Sequence, residues 1–334
     1  MAVIDQVLTD KYAIYNGDSC EVLPTLPSDS IGFSVYSPPF AELYQYSNSP
    51  RDLSNCASYE AFLEHYAFIV RETHRVLKPG RLVAVHCMDL RKDSKSIRDF
   101  PGDIIRLHEE CGFYFHSRLM IKKDALKVAM RTRSLHLRHS QIVKDSAKCG
   151  IAGGDYIVVM VKEGENAEPI THDEGFTRYA GTDTPPPALV AKYAVGWDDP
   201  ATNKLSHWIW QRYATCVWDD INSGRILPYC REELTPEEEA KGISKEKHVC
   251  PLQLDVIERC LALWSNPGDV VLTPFLGVGS EAYVAVQMGR KAVGIELKPS
   301  YFRQAVKNVQ QAEETPLGDG EQDMFEGVEM GDIE

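Results

Sequence analysis

The run Ser37-Pro38-Pro39-Phe40 brings together a hydroxyl, rigid carbonyls and an aromatic ring directly after the apolar segment Ile31-Gly32-Phe33-Ser34-Val35-Tyr36. Neither proline can donate to a strand ladder or continue a helix, so the apolar segment is predicted to be a buried strand whose end is fixed there. Ligands of open α/β sheets bind outside the carboxyl ends of the strands. A flat molecule bearing an amino group suits such a place: its ring would stack on Phe40 while Ser37 and the Pro38 carbonyl accept its N–H bonds. A Pro-Pro turn that merely closes a strand would look the same in isolation.

A second stretch carries a different chemistry. Thr273-Pro274-Phe275-Leu276-Gly277-Val278-Gly279-Ser280-Glu281 follows the apolar run Val270-Val271-Leu272 and opens a helix through Met288; a further strand, Ala292-Val293-Gly294-Ile295, ends at Glu296. Two close glycines between strand and helix let a ligand approach the backbone, and an acidic residue at the next strand's end can accept hydrogen bonds from both ribose hydroxyls. This reads as a nucleoside-binding β-α-β unit. Gly277-x-Gly279-x-x-Ala282, with Glu296 19 residues beyond Gly277, also fits the dinucleotide fingerprint, so a nicotinamide or flavin enzyme is a rival reading. Such enzymes usually carry the fingerprint in an N-terminal unit, and hydride transfer gives Ser-Pro-Pro-Phe no part.

The elements that must position these stretches can be followed along the chain. Tyr12 to Asn16 reads as a strand ending at Gly17-Asp18, with a short helix around Cys20 to Leu26 leading to the strand that feeds Ser37. Ala41 to Ser58, rich in Ser, Asn and Tyr, reads as a loop near the crevice. Tyr59 to Leu77 has the apolar spacing of an amphipathic helix, stopped by Pro79-Gly80, and Arg81 to Cys87 is the next buried strand. A helix over Ile104 to Cys111 and strands over Phe113 to Ile121 and Asp155 to Val161 follow, and Leu252 to Trp264 is a later helix. After Lys162 the alternation lapses: the stretch to about Lys247 holds Pro185-Pro186-Pro187 and four of the five tryptophans, and is read as an inserted module with Trp208, Trp210, Tyr213 and Trp218 as its small core.

With 334 residues and 43% hydrophobic content the chain can bury a large core. It lacks an apolar run of membrane-spanning length and a signal-peptide pattern, which points to a cytoplasmic protein. Nine scattered cysteines with no C-x-x-C pair argue against both zinc and disulfides, so no metal is expected and the thiols are expected to be reduced and mostly buried. The net charge of −13 counts against a nucleic-acid partner until it is divided. The stretch 311–334 holds nine acidic residues and no Lys or Arg, reads as a disordered tail, and leaves the rest near −4. Between Arg118 and Lys148 nine Lys or Arg, among them Lys122, Lys123, Lys127, Arg131, Arg133 and Arg138, face only Asp124 and Asp145, a pattern suited to phosphate backbones and also to a solvated helix face.

In this order the two motif stretches resemble the amino-methylating DNA methyltransferases of the permuted β class, in wording similar to enzymes carried by phages and prophages. The resemblance covers both ends of the catalytic domain and implies an α/β Rossmann-like methyltransferase fold, a mostly parallel doubly wound sheet with circularly permuted motif order and an inserted target-recognition module. Residues 1–162 would form the catalytic half, 163–246 the target-recognition region and 247–310 the cofactor half, with 311–334 the tail. Ser37, Pro38, Pro39 and Phe40 look like the catalytic motif. Pro274, Phe275, Gly277, Gly279 and Ser280 look like the loop that binds S-adenosyl-L-methionine, and Glu296 and Tyr301 like the ribose-binding strand and its sequel. His248, Pro251 and Gln253 look like the segment preceding that loop, and Asp18 adds a further cofactor contact at a strand end. The family commonly has Asp where this chain has Thr273, so the methionine amino group would meet a hydroxyl without a carboxylate's charge.

The resemblance further implies a flipped base in double-stranded DNA, methylated at adenine N6 or cytosine N4. Ser in the first motif position is commoner among cytosine-N4 enzymes, but both amines need the same hydrogen bonds and the choice stays open. The chain lacks the Pro-Cys dipeptide that carbon-5 methylation would require. A homodimer and a partner restriction endonuclease fit the family. An RNA or protein amine methylase of the same fold, and a DNA-binding protein with a decayed cofactor site, are the other readings.

Overall fold

The computed structural model describes residues 3–39, 53–91, 96–132, 137–195, 202–228 and 251–315. Phe40, most of the loop from Ala41, Arg133, Trp197, the charged stretch Glu232 to Lys247, His248 and the chain beyond 315 lie outside the described residues.

Strands β1 (Val3–Leu8), β2 (Tyr12–Gly17) and β3 (Ile31–Tyr36) come first, with the short helix α1 (Ser19–Val22) before β3. Helix α2 (Tyr59–Val76) leads into β4 (Leu77–Met88), and a small hairpin, β5 (Leu90–Arg91) with β6 (Ile97–Arg98), precedes α3 (Phe100–Glu110). Then come β7 (Phe113–Ile121), α4 (Ala125–Thr132), α5 (His139–Lys144) and β8 (Asp155–Lys162). The later part holds α6 (Pro187–Val195), α7 (Lys204–Tyr213), β9 (Val217–Trp218), α8 (Leu254–Trp264), β10 (Val270–Thr273), α9 (Ser280–Gln287), β11 (Lys291–Glu296) and α10 (Pro299–Glu314).

Nine strands form one sheet in the order β1-β2-β11-β10-β3-β4-β8-β7-β9. The pairs from β2 through β11, β10 and β3 to β4 are parallel, as is β7 with β9; β8 runs antiparallel to β4 and β7, and β1 antiparallel to β2. The last strands of the chain therefore sit between strands of its beginning, which is the permuted, mostly parallel arrangement expected. The carboxyl ends of β2, β3, β4, β7, β10 and β11 and the amino end of β8 all meet one rim.

Strand alternation divides the core between two faces. Phe33, Val35, Leu82 and Ala84 pack with α8, α9 and α10, whereas Tyr36, Val83, Val85 and Cys87 pack with α2 and α3. In α2 the stripe Phe62, Tyr66, Ile69, Val70 and Val76 is buried, each side chain contributing roughly 1.5–3 kcal/mol by leaving water. The Ser58 hydroxyl accepts the Ala61 N–H to cap this helix, 3.1 Å. The helix ends at Val76, ahead of Pro79-Gly80, which instead lie inside β4. The proline is tolerated because the ladder to β8 begins only at Leu82 and the register to β3 shifts nearby.

Two other expectations are corrected. Residues 311–314 belong to α10, where Ala312 is buried, so a disordered tail cannot begin at 311. Of the described cysteines only Cys87 and Cys260 are buried; Cys20 and Cys216 are exposed.

The region after Lys162 does not gather its aromatics into one small core. Trp218 is fully buried in the main core and extends the sheet through β9, opposite Ile121; Trp210 is exposed. Among the described residues Leu205, Ile209 and Tyr213 of α7 form a small cluster with Phe176, Tyr179, Leu189 and Trp208 beside them, and it packs on Ala262 and Leu263 of α8. Charged residues of α8 hold this region. Glu258 pairs with Arg178 (3.2 Å) and Arg225 (2.6 Å), and Asp255 pairs with Arg225 (2.9 Å). Arg259 donates to the Ala180 carbonyl (2.8 Å) and to Asp220 (2.8 Å), with its guanidinium beside the rings of Tyr213 and Trp218. Removing one partner of a fully buried pair strands the other charge at a cost of about 3–5 kcal/mol. Arg259→Met is accordingly expected to lower unfolding free energy by about that amount in urea titration, and by distinctly less in an Asp220→Asn background.

Candidate active site

The site is built where β10 and β3 lie side by side, with Leu272 opposite Ser34 and the Ser34 hydroxyl donating to the Leu272 carbonyl at 2.9 Å. From this pair the chain leaves in opposite directions, β10 toward β11 and β3 toward β4. Ligand crevices of open α/β sheets form outside such a switch point. Ser37 directly follows β3 and Thr273 ends β10, so the two motif stretches occupy adjacent strand ends on the same rim.

On the β3 side, Ser37 is half-buried, Pro38 buried and Pro39 half-buried. Behind them Tyr36 is held by a buried hydroxyl pair with Tyr66, 2.9 Å, and its ring lies 5.6 Å from that of Phe275. Phe275 thus joins the two stretches through packing, as well as belonging to the loop. The register Tyr36 opposite Val85 sets Ser37 beside His86, and the Ser37 hydroxyl lies 3.2 Å from His86 Nδ1 and 3.3 Å from the His86 carbonyl. The other ring nitrogen, Nε2, lies 3.1 Å from Asp155 Oδ2, and Lys123 Nζ reaches the same carboxylate at 2.5 Å. Burial would raise the Asp155 carboxyl, but the hydrogen bonds and charges of His86 and Lys123 outweigh it and bring it down to about 2.

On the β10 side, the loop from Thr273 to Gly279 turns through positive φ at Gly277 (56°) and Gly279 (94°). Gly279 also meets α10 closely: a Cβ there would lie 3.1 Å from Ala305, so its missing side chain serves helix packing. The Gly277 N–H donates to Glu296 Oε2 and the Lys298 N–H to Oε1, each at 2.8 Å, which fixes the carboxylate at the end of β11. Asn16 pins the same strand end by donating to the carbonyls of Glu296 (2.8 Å) and Leu297 (3.2 Å). Asp18, at the end of β2, caps α1 by accepting the Cys20 N–H, and Ser19 donates to the Pro274 carbonyl, 2.5 Å. Tyr301 is buried in the first turns of α10 with Lys298 Nζ 4.4 Å from its ring centre.

Several buried polar atoms here have no hydrogen-bond partner among the described residues: the hydroxyls of Thr273, Ser280 and Ser300 and Gln253 Oε1. Each such atom carries a desolvation cost of about 1–3 kcal/mol. Thr273 and Ser280 bracket the loop, so their hydroxyls are free to bond a polar molecule held against it. Beneath them burial pushes the Glu281 carboxyl up to about 8, which keeps it protonated at neutral pH. Pro251 is buried just ahead of α8, whose N-cap position is Gln253.

The basic stretch divides. Lys122, Lys127 and Arg138 are exposed, and β7 delivers Lys122 to the rim that carries Ser37; the backbone of Arg131 lies in α4. Lys123, expected on the exposed surface, is instead drawn inward by Asp155, with its side chain 22% exposed. His86, Asp155 and Asn16 were not singled out from the sequence. Their one signal was position, since each stands near a strand end on this rim.

The fold is Rossmann-like. The N6/N4 methyltransferase family, described as DNA methylase, matches residues 31–307, and the chain belongs to that family. A type II methyltransferase of Bacillus subtilis, M.BglII, is 25% identical over 295 residues, which cover 86% of this chain and 66% of the relative. The DNA adenine methyltransferase YhdJ of Escherichia coli is 23% identical over 300 residues, 89% of this chain and 82% of the relative. Among solved structures, the cytosine-N4-specific PvuII DNA methyltransferase superposes with a TM-score of 0.55 at 17% identity, covering 90% of this chain and 86% of that one. A candidate DNA modification methylase from Thermus thermophilus, solved with S-adenosyl-L-methionine, gives 0.58 at 21% identity, with coverage of 91% and 94%.

Proposed function

We propose that this chain transfers a methyl group from S-adenosyl-L-methionine to the exocyclic amine of a base flipped out of double-stranded DNA, at adenine N6 or cytosine N4. The observation that carries the reading is the adjacency, on one sheet rim, of the Ser37 strand end and the loop Thr273–Gly279 with Glu296. The residues fit S-adenosyl-L-methionine. The Glu296 carboxylate, fixed at the end of β11, suits the ribose hydroxyls as an acceptor, and the unmatched hydroxyls of Thr273 and Ser280 suit the polar groups of the cofactor.

Bound there, S-adenosyl-L-methionine supplies an electrophilic methyl group on a sulfonium. The protein's task is to present the nucleophile. Flipping the base costs a few kcal/mol, and stacking on Phe40 returns about 1–3 kcal/mol of it. The amine is weakly nucleophilic because its lone pair is delocalised into the ring. Accepting its two N–H groups at Ser37 Oγ and the Pro38 carbonyl favours a pyramidal nitrogen with the lone pair directed at the methyl, and alignment supplies much of the rate. Lys122, Lys127 and Arg138, with Arg131 and Arg133, form the phosphate contacts of this reading, and residues 163–246 the target-recognition region. No described helix is long and apolar enough to cross a membrane. The reading extends to a cytoplasmic setting, a homodimer and a cognate restriction endonuclease, the last suggested by the type II relatives.

Calorimetric titration tests the cofactor assignment: one-to-one binding of S-adenosyl-L-methionine is expected, and binding of a nicotinamide dinucleotide in its place would contradict it. In the same assay Thr273→Val is expected to weaken S-adenosyl-L-methionine about 5- to 10-fold, the worth of one hydrogen bond. Its thermal midpoint without ligand should be equal or higher, because an unmatched buried hydroxyl is replaced by a methyl of the same shape. A lower midpoint with unchanged affinity would assign the hydroxyl to the fold alone.

A further inference from the structure

The chain Ser37–His86–Asp155–Lys123 reaches from the proposed catalytic hydroxyl into the sheet. Its protonation pattern follows from charge. The contacts of His86 and Lys123 lower the Asp155 carboxyl, so the carboxylate is an acceptor and Nε2, 3.1 Å from it, carries a proton. In the neutral ring Nδ1 is then the acceptor, and it is the nitrogen that faces Ser37 Oγ. The same three side-chain types serve acyl transfer elsewhere, with the two ring nitrogens exchanged. His86 and Asp155 are both buried; among the described residues the ring nitrogens face Ser37 after β3 and Asp155 of β8, and Lys123 after β7 reaches the same carboxylate. Cys87, the next residue of β4, packs on the opposite face of the sheet; burial raises its thiol, the charges of Asp155, Asp89 and Asp99 add to this, and Arg118 opposes it.

Amine methylation must shed a proton. The nitrogen–carbon bond forms as the carbon–sulfur bond breaks, the sulfonium becomes a neutral thioether, and the nitrogen is left with one positive charge and one proton too many. We propose that His86 is the acceptor of that proton, reached through Ser37. The amine N–H passes its proton to Ser37 Oγ while the hydroxyl proton moves to His86 Nδ1. The imidazolium so formed is stabilised by the Asp155 carboxylate, and it returns the proton to solvent after turnover. Lys123, as an ammonium, is a counter-charge that keeps Asp155 ionised, so this lysine orients the relay and takes no part in the proton transfer. In this scheme His86 acts through Ser37 and is a positioning and proton-accepting residue. The inference rests on the methyltransferase reading above.

The test compares wild type with His86→Gln, which can still donate to Asp155 but cannot titrate, and with Asp155→Asn. Single-turnover methylation of DNA is followed across pH, alongside nitrogen-15 spectra of the imidazole rings in the unliganded protein. Wild type is expected to show the Nε2–H tautomer at His86 and a methylation rate that falls at low pH along the His86 titration seen in the spectra. His86→Gln should be about 100-fold slower with that acid limb gone, while S-adenosyl-L-methionine and DNA affinities stay within about two-fold. Added imidazole should restore part of the rate to His86→Ala. A His86→Gln rate that keeps the wild-type pH profile, or an Nδ1–H tautomer, would overturn the relay while wild-type methylation upheld the function. A wild-type protein that methylates no base would sink both.

Discussion

Replacing Ser37 with alanine is expected to lower single-turnover DNA methylation by about 100-fold or more while leaving S-adenosyl-L-methionine affinity unchanged. The effect is large because one atom, Oγ, has two duties in this account. It accepts an N–H of the target amine, and it connects that amine to His86 Nδ1, 3.2 Å away. Alanine leaves the amine proton without its acceptor, and groups that bond the reacting atoms in the transition state typically contribute about 10²–10³-fold. The hydroxyl is absent from the loop Thr273–Gly279 and from the Glu296 carboxylate, so cofactor binding should not sense its loss. Parallel calorimetry and rapid-quench kinetics measure the two quantities. A Ser37→Ala protein with weakened cofactor and unchanged turnover would place the hydroxyl on the wrong substrate.

Glu296→Ala should have the converse signature, about 100-fold weaker binding of S-adenosyl-L-methionine. Charge-assisted hydrogen bonds from two ribose hydroxyls are lost together, and each is worth about 1.5–3 kcal/mol net of exchange with water, so about 100-fold is the lower end of the loss. The substitution also strips the Gly277 and Lys298 N–H groups of their acceptor, which loosens the loop that receives the cofactor. Glu296→Gln separates the two contributions: its amide oxygen can still accept one backbone N–H, so much of the stability should return while cofactor affinity does not. Thermal unfolding and calorimetry on both variants provide the comparison. Equal affinity in wild type and Glu296→Ala would remove the ribose from this strand end.

These two residues were legible in the sequence, and the reason is local. Ser37 follows an unbroken apolar strand cut by two prolines, and Glu296 closes an apolar strand after a glycine-bearing turn, so a few contiguous residues specify each position. The alternation of strands and helices likewise exposed the α/β class, because parallel strands covered on both faces read as apolar runs. β1 escaped notice because it is an edge strand whose side chains are mostly exposed, and it therefore carries little hydrophobic signal. The docking of the region after Lys162 escaped for the opposite reason. Asp255, Glu258 and Arg259 look like the solvent face of a helix, yet all three are buried by Arg225, Arg178 and Asp220 from a distant part of the chain.

His86 and Asp155 show the same limit within the site. They lie 49 and 118 residues beyond Ser37 and meet it only because β4 stands between β3 and the antiparallel β8. No spacing rule reports such a contact. Lys123 was placed with the exposed basic residues for want of the same information: its neighbours in sequence are solvent-facing, and its partner is supplied by the sheet.

The most direct test of the central claim is to incubate the purified protein with unmodified double-stranded DNA and methyl-labelled S-adenosyl-L-methionine, then digest the DNA and analyse its nucleosides by mass spectrometry. The account predicts label in N6-methyladenine or N4-methylcytosine, and the identity of that nucleoside decides which amine is the substrate. Cofactor binding with no label in DNA, and label instead in RNA or in protein, would contradict it.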